Sequence, residues 1–438
     1  MASDMTTLPA EFQDQMVAIT IGLRITSQIQ LLLSFPTRLD ADRLARAARL
    51  LVQAEPVLGC RFEVSGDTPL WRPRSDPDAV AWFELHEIAT LADAPAATMH
   101  EDEPLDGRNL VVRLLRLPTH DAVCIGVSHA VADGSAAMEC AYQLAALYTV
   151  LGTDPAFRPE PNTAPRDNFE WLRSFRLRHH LRTLARDLSG LRHLRARPMG
   201  VVSDGSMQAW MGLPRTSPGV VERRIMPDRL AAIDRHATAH ASTRLAVLVA
   251  GLARAFAGFT WAPDAALFRL MLPSNLRRFA PGTRRPAIRN MSIVASMIFD
   301  PACAQPFAAT RQAATAAATS LERGMAGALN PIAIAVMRRM SFPAKQRLLE
   351  GVVRKSLGRP APPTFTNVGR LHEARTRFDG VAPDHAVITA GAFPLPLVLV
   401  TGLEYRRTLT LSVGFQQDSV SRARMQRFLD AIVDEIPA

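Results

Sequence analysis

Apolar and polar positions alternate in short blocks from early in the chain. Residues 28–35 read as a strand, which Pro36 ends. Asp40 follows as an N-cap, and Leu44, Ala47, Ala48 and Leu51 recur at helical spacing on one face. Pro56 closes that helix, and residues 61–64 open another strand. Residues 110–117 are apolar with Arg113 and Arg116 interposed, which predicts a further strand. Residues 122–128 place Val123, Ile125 and Val127 at every second position, the period of a half-buried strand. A tight glycine-containing turn comes next, then an apolar-faced helix over 135–150.

Pro155, Pro159, Pro161 and Pro165 then crowd a stretch that few regular elements tolerate, so a lobe boundary is placed there. Residues 171–197 are helical in pattern and strongly basic, and 201–220 are loop-rich. Beyond them the spacing predicts a long helix over 243–258, an alanine-rich helix within 306–324 and a final helix over 421–436. Two apolar runs call for a membrane test. Arg254 interrupts 245–262, and Pro394 and Pro396 interrupt 387–403. Neither offers the ~20 apolar residues of a spanning helix. The first is predicted to be a buried helix and the second a strand-turn-strand. The two halves share a strand-helix-strand rhythm. The fold class expected is therefore α/β (α+β), with an N-terminal lobe over 1–165, a basic helical connector over 166–215 and a C-terminal lobe over 216–438. A functional site is expected at the junction.

Composition narrows the class. The 438 residues are 48% hydrophobic and 21% charged, as in a soluble globular protein with more than one core. The first residues lack a basic segment before an apolar stretch, so no secretory signal is expected. Cys60, Cys124, Cys140 and Cys303 form no CxxC pair and no zinc spacing, so no metal site is expected. Reduced thiols and a cytoplasmic location are the default. The net charge of +10 favours acidic partners. Nucleic acid is excluded as a reading, because no zinc finger, RNP-type strand or basic patch interleaved with aromatics is present. There is no GxSxG, Walker-type loop or GxGxxG.

The informative stretch is Ser128-His129-Ala130-Val131-Ala132-Asp133-Gly134. A histidine at the end of a buried strand is fixed in orientation, and an imidazole suits proton abstraction near neutrality. Asp133 is turned away by the tight loop and is better placed to anchor it through a buried ion pair. Gly134 allows close backbone approach, and its N–H at a helix start can stabilise developing negative charge. The alternative is a core histidine that hydrogen-bonds its own loop.

This stretch resembles the HHxxxDG signature of the chloramphenicol-acetyltransferase-like superfamily, which includes condensation domains, CoA-dependent alcohol acyltransferases and wax-ester synthases. Residues 39–44 through 56–62 resemble the family's early helix and following strand. Pro273-Ser274-Asn275-Leu276-Arg277 resembles the strand whose arginine pairs with the motif aspartate. Ile288-Arg289-Asn290-Met291 and Thr366-Asn367-Val368-Gly369 resemble the IGN-like and NxG elements. The resemblance implies two acyltransferase lobes meeting at an active-site tunnel. His129 would be the general base that deprotonates a hydroxyl or amine acceptor for attack on an acyl-CoA or carrier-bound phosphopantetheine thioester. No tightly bound cofactor and no acyl-enzyme is implied. Asp133 would pair with Arg277, with Arg278 as second choice, while Ser128, Asn290 and Arg278 would approach substrate, and Asn367 would either hydrogen-bond substrate or, the preferred reading, shape the turn before Gly369. Ser128 replaces the first motif histidine, and no DFGWG occurs near the C-terminus, which argues against a standard synthetase condensation domain. A catalytically silent module that docks a carrier protein or lipid is the competing reading.

Residues 173–197 combine eight arginines with Leu172, Phe175 and Leu181 at helical spacing. They read as a peripheral membrane or acidic-carrier contact, or as a solvated linker helix. His179 and His180 lack a third ligand. Arg277, Arg278, Arg284, Arg285 and Arg289 would meet CoA phosphates or form a surface loop. A small-molecule acceptor and a monomeric chain are expected.

Overall fold

The computed structural model describes residues 7–24, 28–99, 107–167, 216–259, 268–279, 287–299, 307–322, 331–356 and 362–437. Residues 171–197, expected from the sequence to form a basic helix and including His179 and His180, lie outside them, as do Cys303, Arg284 and Arg285.

The elements run β1 (Leu8–Pro9), α1 (Phe12–Gly22), β2 (Gln28–Ser34), α2 (Ala41–Ala54), β3 (Cys60–Ser65), β4 (Thr68–Pro73), β5 (Phe83–Glu87), α3 (Ala94–Thr98), β6 (Leu110–Arg116), β7 (Asp121–Ser128) and α4 (Gly134–Thr153). They continue with β8 (Pro218–Ile225), α5 (Pro227–Ala239), α6 (Arg244–Gly258), β9 (Phe268–Asn275), β10 (Ser292–Phe299), α7 (Phe307–Glu322), α8 (Pro331–Arg338) and α9 (Phe342–Ser356). The last are β11 (Thr364–Arg370), β12 (His385–Thr389), β13 (Leu399–Tyr405), β14 (Thr408–Gln416) and α10 (Arg422–Glu435).

Two mixed sheets form the frame. One runs β12-β2-β7-β6-β5, the other β10-β9-β11-β13-β14-β8, and β1-β4-β3 makes a small third sheet. In the first sheet, Ile29, Leu31 and Leu33 of β2 face the same side as Val123, Ile125 and Val127 of β7. That side packs on the apolar stripe Leu44, Ala47, Ala48 and Leu51 of α2 and on α4. Asp40 caps α2, its carboxylate accepting from Arg43 N at 3.0 Å. In the second lobe α6 and α10 pack Val247, Phe256, Phe428 and Leu429 on Leu411 and Val413.

β12 pairs antiparallel with β2, register His385↔Ser34 to Thr389↔Gln30, so the C-terminal segment 216–438 supplies the edge strand of the N-terminal sheet. The strand-turn-strand at 387–403 accordingly has its strands in two different sheets. Periodicity identifies a strand but carries no information about which sheet receives it. The exchange locks the lobes: Thr401 of β13 is buried, and Ser412 Oγ of β14 donates to Ile388 O of β12 at 2.6 Å.

No single helix among the described residues is long and apolar enough to cross a membrane. The apolar α6 is largely buried, including Val247, Leu248 and Val249.

Candidate active site

The motif begins where β7 leaves the sheet. Val131 N and Ala132 N both donate to Ser128 O, at 3.1 and 3.2 Å, which closes a tight turn. The turn puts His129 at the strand end, half-buried, with buried residues on both sides. Asp133 caps α4, its Oδ1 accepting from Ala136 N at 2.9 Å.

His129 is held through one ring nitrogen. Nδ1 lies 2.8 Å from Ala132 O. A carbonyl oxygen only accepts, so Nδ1 carries a proton, and in the neutral imidazole Nε2 is the acceptor. Asn290 fixes the other side. Its Oδ1 accepts from Ser292 N at 3.0 Å and Ser292 Oγ at 2.8 Å, which orients the carboxamide. Its Nδ2 then donates to His129 O at 3.0 Å and stands 3.2 Å from Nδ1. Asn290 is fully buried. It touches the histidine and its own turn, the geometry of a positioning residue.

Asp133 points away from His129. Its Oδ2 accepts from Arg277 Nη1 at 2.6 Å and from Met291 N at 2.7 Å. Arg277 Nη2 in turn donates to Arg289 O at 2.7 Å. Burial pushes the Asp133 carboxyl up, but the Arg277 charge and the hydrogen bonds from Arg277, Ala136 and Met291 outweigh it and hold the pKa below the ordinary aspartate value. The carboxylate thus ties the motif loop of one lobe to the β9–β10 region of the other. It makes no contact suited to relaying a proton from His129.

Gly134 is the first residue of α4, and its N–H has no acceptor within the helix by position. A Cβ there would sit 2.8 Å from Val368 Cγ1, so β11 packs where a side chain would be. Ser128 is buried, and its Oγ accepts from Ala130 N at 3.4 Å, shaping the turn. Asn367 is exposed, and its Oδ1 accepts from Gly369 N at 3.2 Å across the β11 bulge. It lines a depression with Arg370 and Glu404 in whose wall His129 does not appear. The Ser128 hydroxyl and the Asn367 carboxamide oxygen each bond their own turn. Arg278 falls in the short turn after β9, and Arg277 takes the pairing with Asp133.

Three residues that no sequence pattern singles out support the loop from beneath. Arg166 donates to Asp14 Oδ2 at 2.8 Å, to Val131 O at 3.3 Å and to Ile288 O at 2.9 Å. Asp14 is fully buried and also accepts from Trp71 Nε1 at 2.9 Å. Glu55 accepts from Ile288 N at 3.3 Å and from Gln143 Nε2 at 2.8 Å. The His129 turn and the Asn290 turn thus rest on one buried network. The Cys124 thiol, on β7, donates to Gln30 Oε1 at 3.3 Å, and burial pushes its pKa up to about 11, leaving it an inert thiol.

No family model matches the chain. A search of solved structures returns likeness over nearly its whole length. The first condensation domain of the CDA synthetase superposes with a TM-score of 0.67 at 16% identity, covering 98% of this chain and 96% of that one. The two chains share one fold. The trichothecene 15-O-acetyltransferase of Fusarium sporotrichioides shares it, with a TM-score of 0.70, 13% identity and coverage of 98% and 95%. So does polyketide synthase associated protein 5 from Mycobacterium tuberculosis, at a TM-score of 0.64, 15% identity and coverage of 99% and 96%. Among curated sequences, Nonribosomal peptide synthetase 4 of Gibberella zeae is 29% identical over 136 residues, which is 30% of this chain and 2% of the synthetase. The chain thus matches only a small part of that relative's length.

Proposed function

We propose that the protein transfers an acyl group from a pantetheine thioester, as acyl-CoA or on an acyl carrier protein, to a hydroxyl or amine, with His129 as general base. The observation that carries the reading is the contact of His129 Nδ1 with Ala132 O. With Nδ1–H directed at that carbonyl, Nε2 of the neutral imidazole is the nitrogen left to accept a proton at the end of β7. The acceptor's proton passes to Nε2, the acceptor oxygen or nitrogen bonds to the thioester carbonyl carbon, and the C–S bond breaks. The proton then leaves with the thiolate as free thiol. The N–H of Gly134, at the positive end of α4, is available to a developing oxyanion. Asp133 and Arg277 act structurally by joining the lobes around the turn.

The test is acyl transfer by wild type and His129→Ala, read by mass spectrometry across a panel of acyl-CoA donors and acylated carrier protein. Removing the base is expected to lower the rate by roughly 10²–10⁴. Equal rates in the two proteins overturn the reading.

A further inference from the structure

β2 and β7 turn alternate side chains to the two faces of their sheet. The face away from the helical core carries Gln28, Gln30 and Leu32, registered against Ser128, Gly126 and Cys124. A cavity of about 260 Å³ lies over the Cys124 end of this face. Leu32 and Val387 of the first sheet, Pro95 and Met99 from α3 and just after it, and Val220 and Val221 of β8 give it apolar walls. Residues of both lobes therefore enclose it. Its polar floor is already satisfied at Gln30, whose Nε2 donates to Thr98 O at 2.6 Å. Its charged members are engaged too: His385 lies 2.9 Å from Glu222, and Arg422 donates to Val220 O at 2.8 Å. This suits an uncharged chain rather than a phosphate.

The cavity and His129 share one strand. Cys124 to Ser128 along β7 spans about 13 Å at ~3.3 Å per residue, and His129 follows. Gly126 lies between them, and the side chains of Gln28 and Arg113 close over the space it leaves. A Cβ on Gly126 would stand 2.8 Å from Gln28 Oε1. Gln28 Nε2 is buried with no hydrogen-bond partner. A buried amide left unsatisfied is costly, so that pose is not tightly held.

Building on the acyl-transfer reading, we propose that this cavity receives the apolar chain of one of the two substrates reacting at His129, with the Gln28 side chain as a movable partition. The enzyme then prefers a chain of several carbons to a two-carbon one. The chain belongs to either the acyl group or the acceptor, and the test has one arm for each. In one arm, acetyl-, butyryl-, hexanoyl- and octanoyl-CoA are compared with a fixed acceptor. In the other, ethanol, butanol, hexanol and octanol are compared with a fixed donor. Wild type is expected to favour the longer members in one arm. Leu32→Phe and Val387→Phe, on neighbouring strands, fill the cavity independently, so one misfolded variant does not spoil the test. Each is expected to lower the long-to-short ratio of kcat/KM by about tenfold or more. A ratio unchanged in both arms in a folded variant overturns the proposal. If wild type transfers no acyl group at all, the acyl-transfer reading fails on its own. The cavity is then judged by calorimetric binding of octanol, which Leu32→Phe is expected to weaken; undiminished binding in the variant, or none in wild type, overturns it.

Discussion

The carboxamide of Asn290 donates to the main-chain oxygen of His129 at 3.0 Å, while its nitrogen sits 3.2 Å from the imidazole Nδ1. The two residues come from different lobes, so the aim of the ring depends on how the lobes meet. Asn290→Asp keeps an oxygen for Ser292 but loses the donor to His129 O. It is expected to lower kcat by up to roughly 10²-fold, the scale of a small misplacement of a reacting group, with KM for the acceptor little changed. Steady-state kinetics separates the two. A rise in KM alone would mean that Asn290 binds substrate instead.

Asp133 should behave as a structural residue. Its carboxylate is buried against Arg277, and removing one member of such a pair costs about 3–5 kcal/mol. Asp133→Ala is therefore expected to lower the melting temperature strongly, and denaturant titration measures the loss. Its lowered pKa adds an acid dependence. The stabilisation is complete above the ordinary aspartate value of 3.8 and is lost as pH falls through the lower folded value. Arg277→Met should flatten that acid limb, visible as a smaller difference from wild type at pH ~3 than at pH ~7.

Gly134 and Val368 make a matched pair. Gly134→Ala places a methyl 2.8 Å from Val368 Cγ1. Overpacking of this kind costs about 1–3 kcal/mol. Val368→Ala in the same chain should restore much of that loss, and a double-mutant cycle by chemical denaturation reads the coupling. Additive effects would mean that the loop, rather than this contact, requires glycine.

Glu11, at the start of α1, titrates far from the usual carboxylate range. Burial first, then Asp167 and Asp14, raise it from 4.5 to about 7 against the pull of Arg166 and Arg338. A raised acid favours the protonated folded state, so its contribution is best below 4.5 and declines as pH rises toward about 7. Glu11→Gln removes the decline. Its melting temperature should exceed that of wild type at pH ~8 and approach it near pH ~4.

The local parts of the site were legible in the chain. Strand, tight turn and helix around His129 follow from period and punctuation, and the aspartate's turn away from the histidine follows from the turn itself. Arg277 was reached through resemblance, because nothing local says that a residue 144 positions away closes the pair. Arg166, Asp14 and Glu55 were not legible at all. Each is a lone charged residue whose meaning arises only when three distant segments meet in the interior. Asn367 left two readings open in the sequence, a substrate contact or a turn before Gly369, and its Oδ1 accepts from Gly369 N at the bulge. β12 was recognised as a strand but not assigned to its sheet, since strand periodicity is indifferent to the neighbour.

The borrowed strand β12 also bears on assembly. Among the described residues it is the strand that covers the outer edge of β2, and the sheet ends with it. A chain whose residues 385–389 have not yet returned shows a row of unsatisfied amides and carbonyls to any neighbour. A second copy carries the same segment in a form that fits. At high concentration, refolding chains are thus set up to trade this strand, giving swapped pairs in which each β2 edge is covered by the partner's β12.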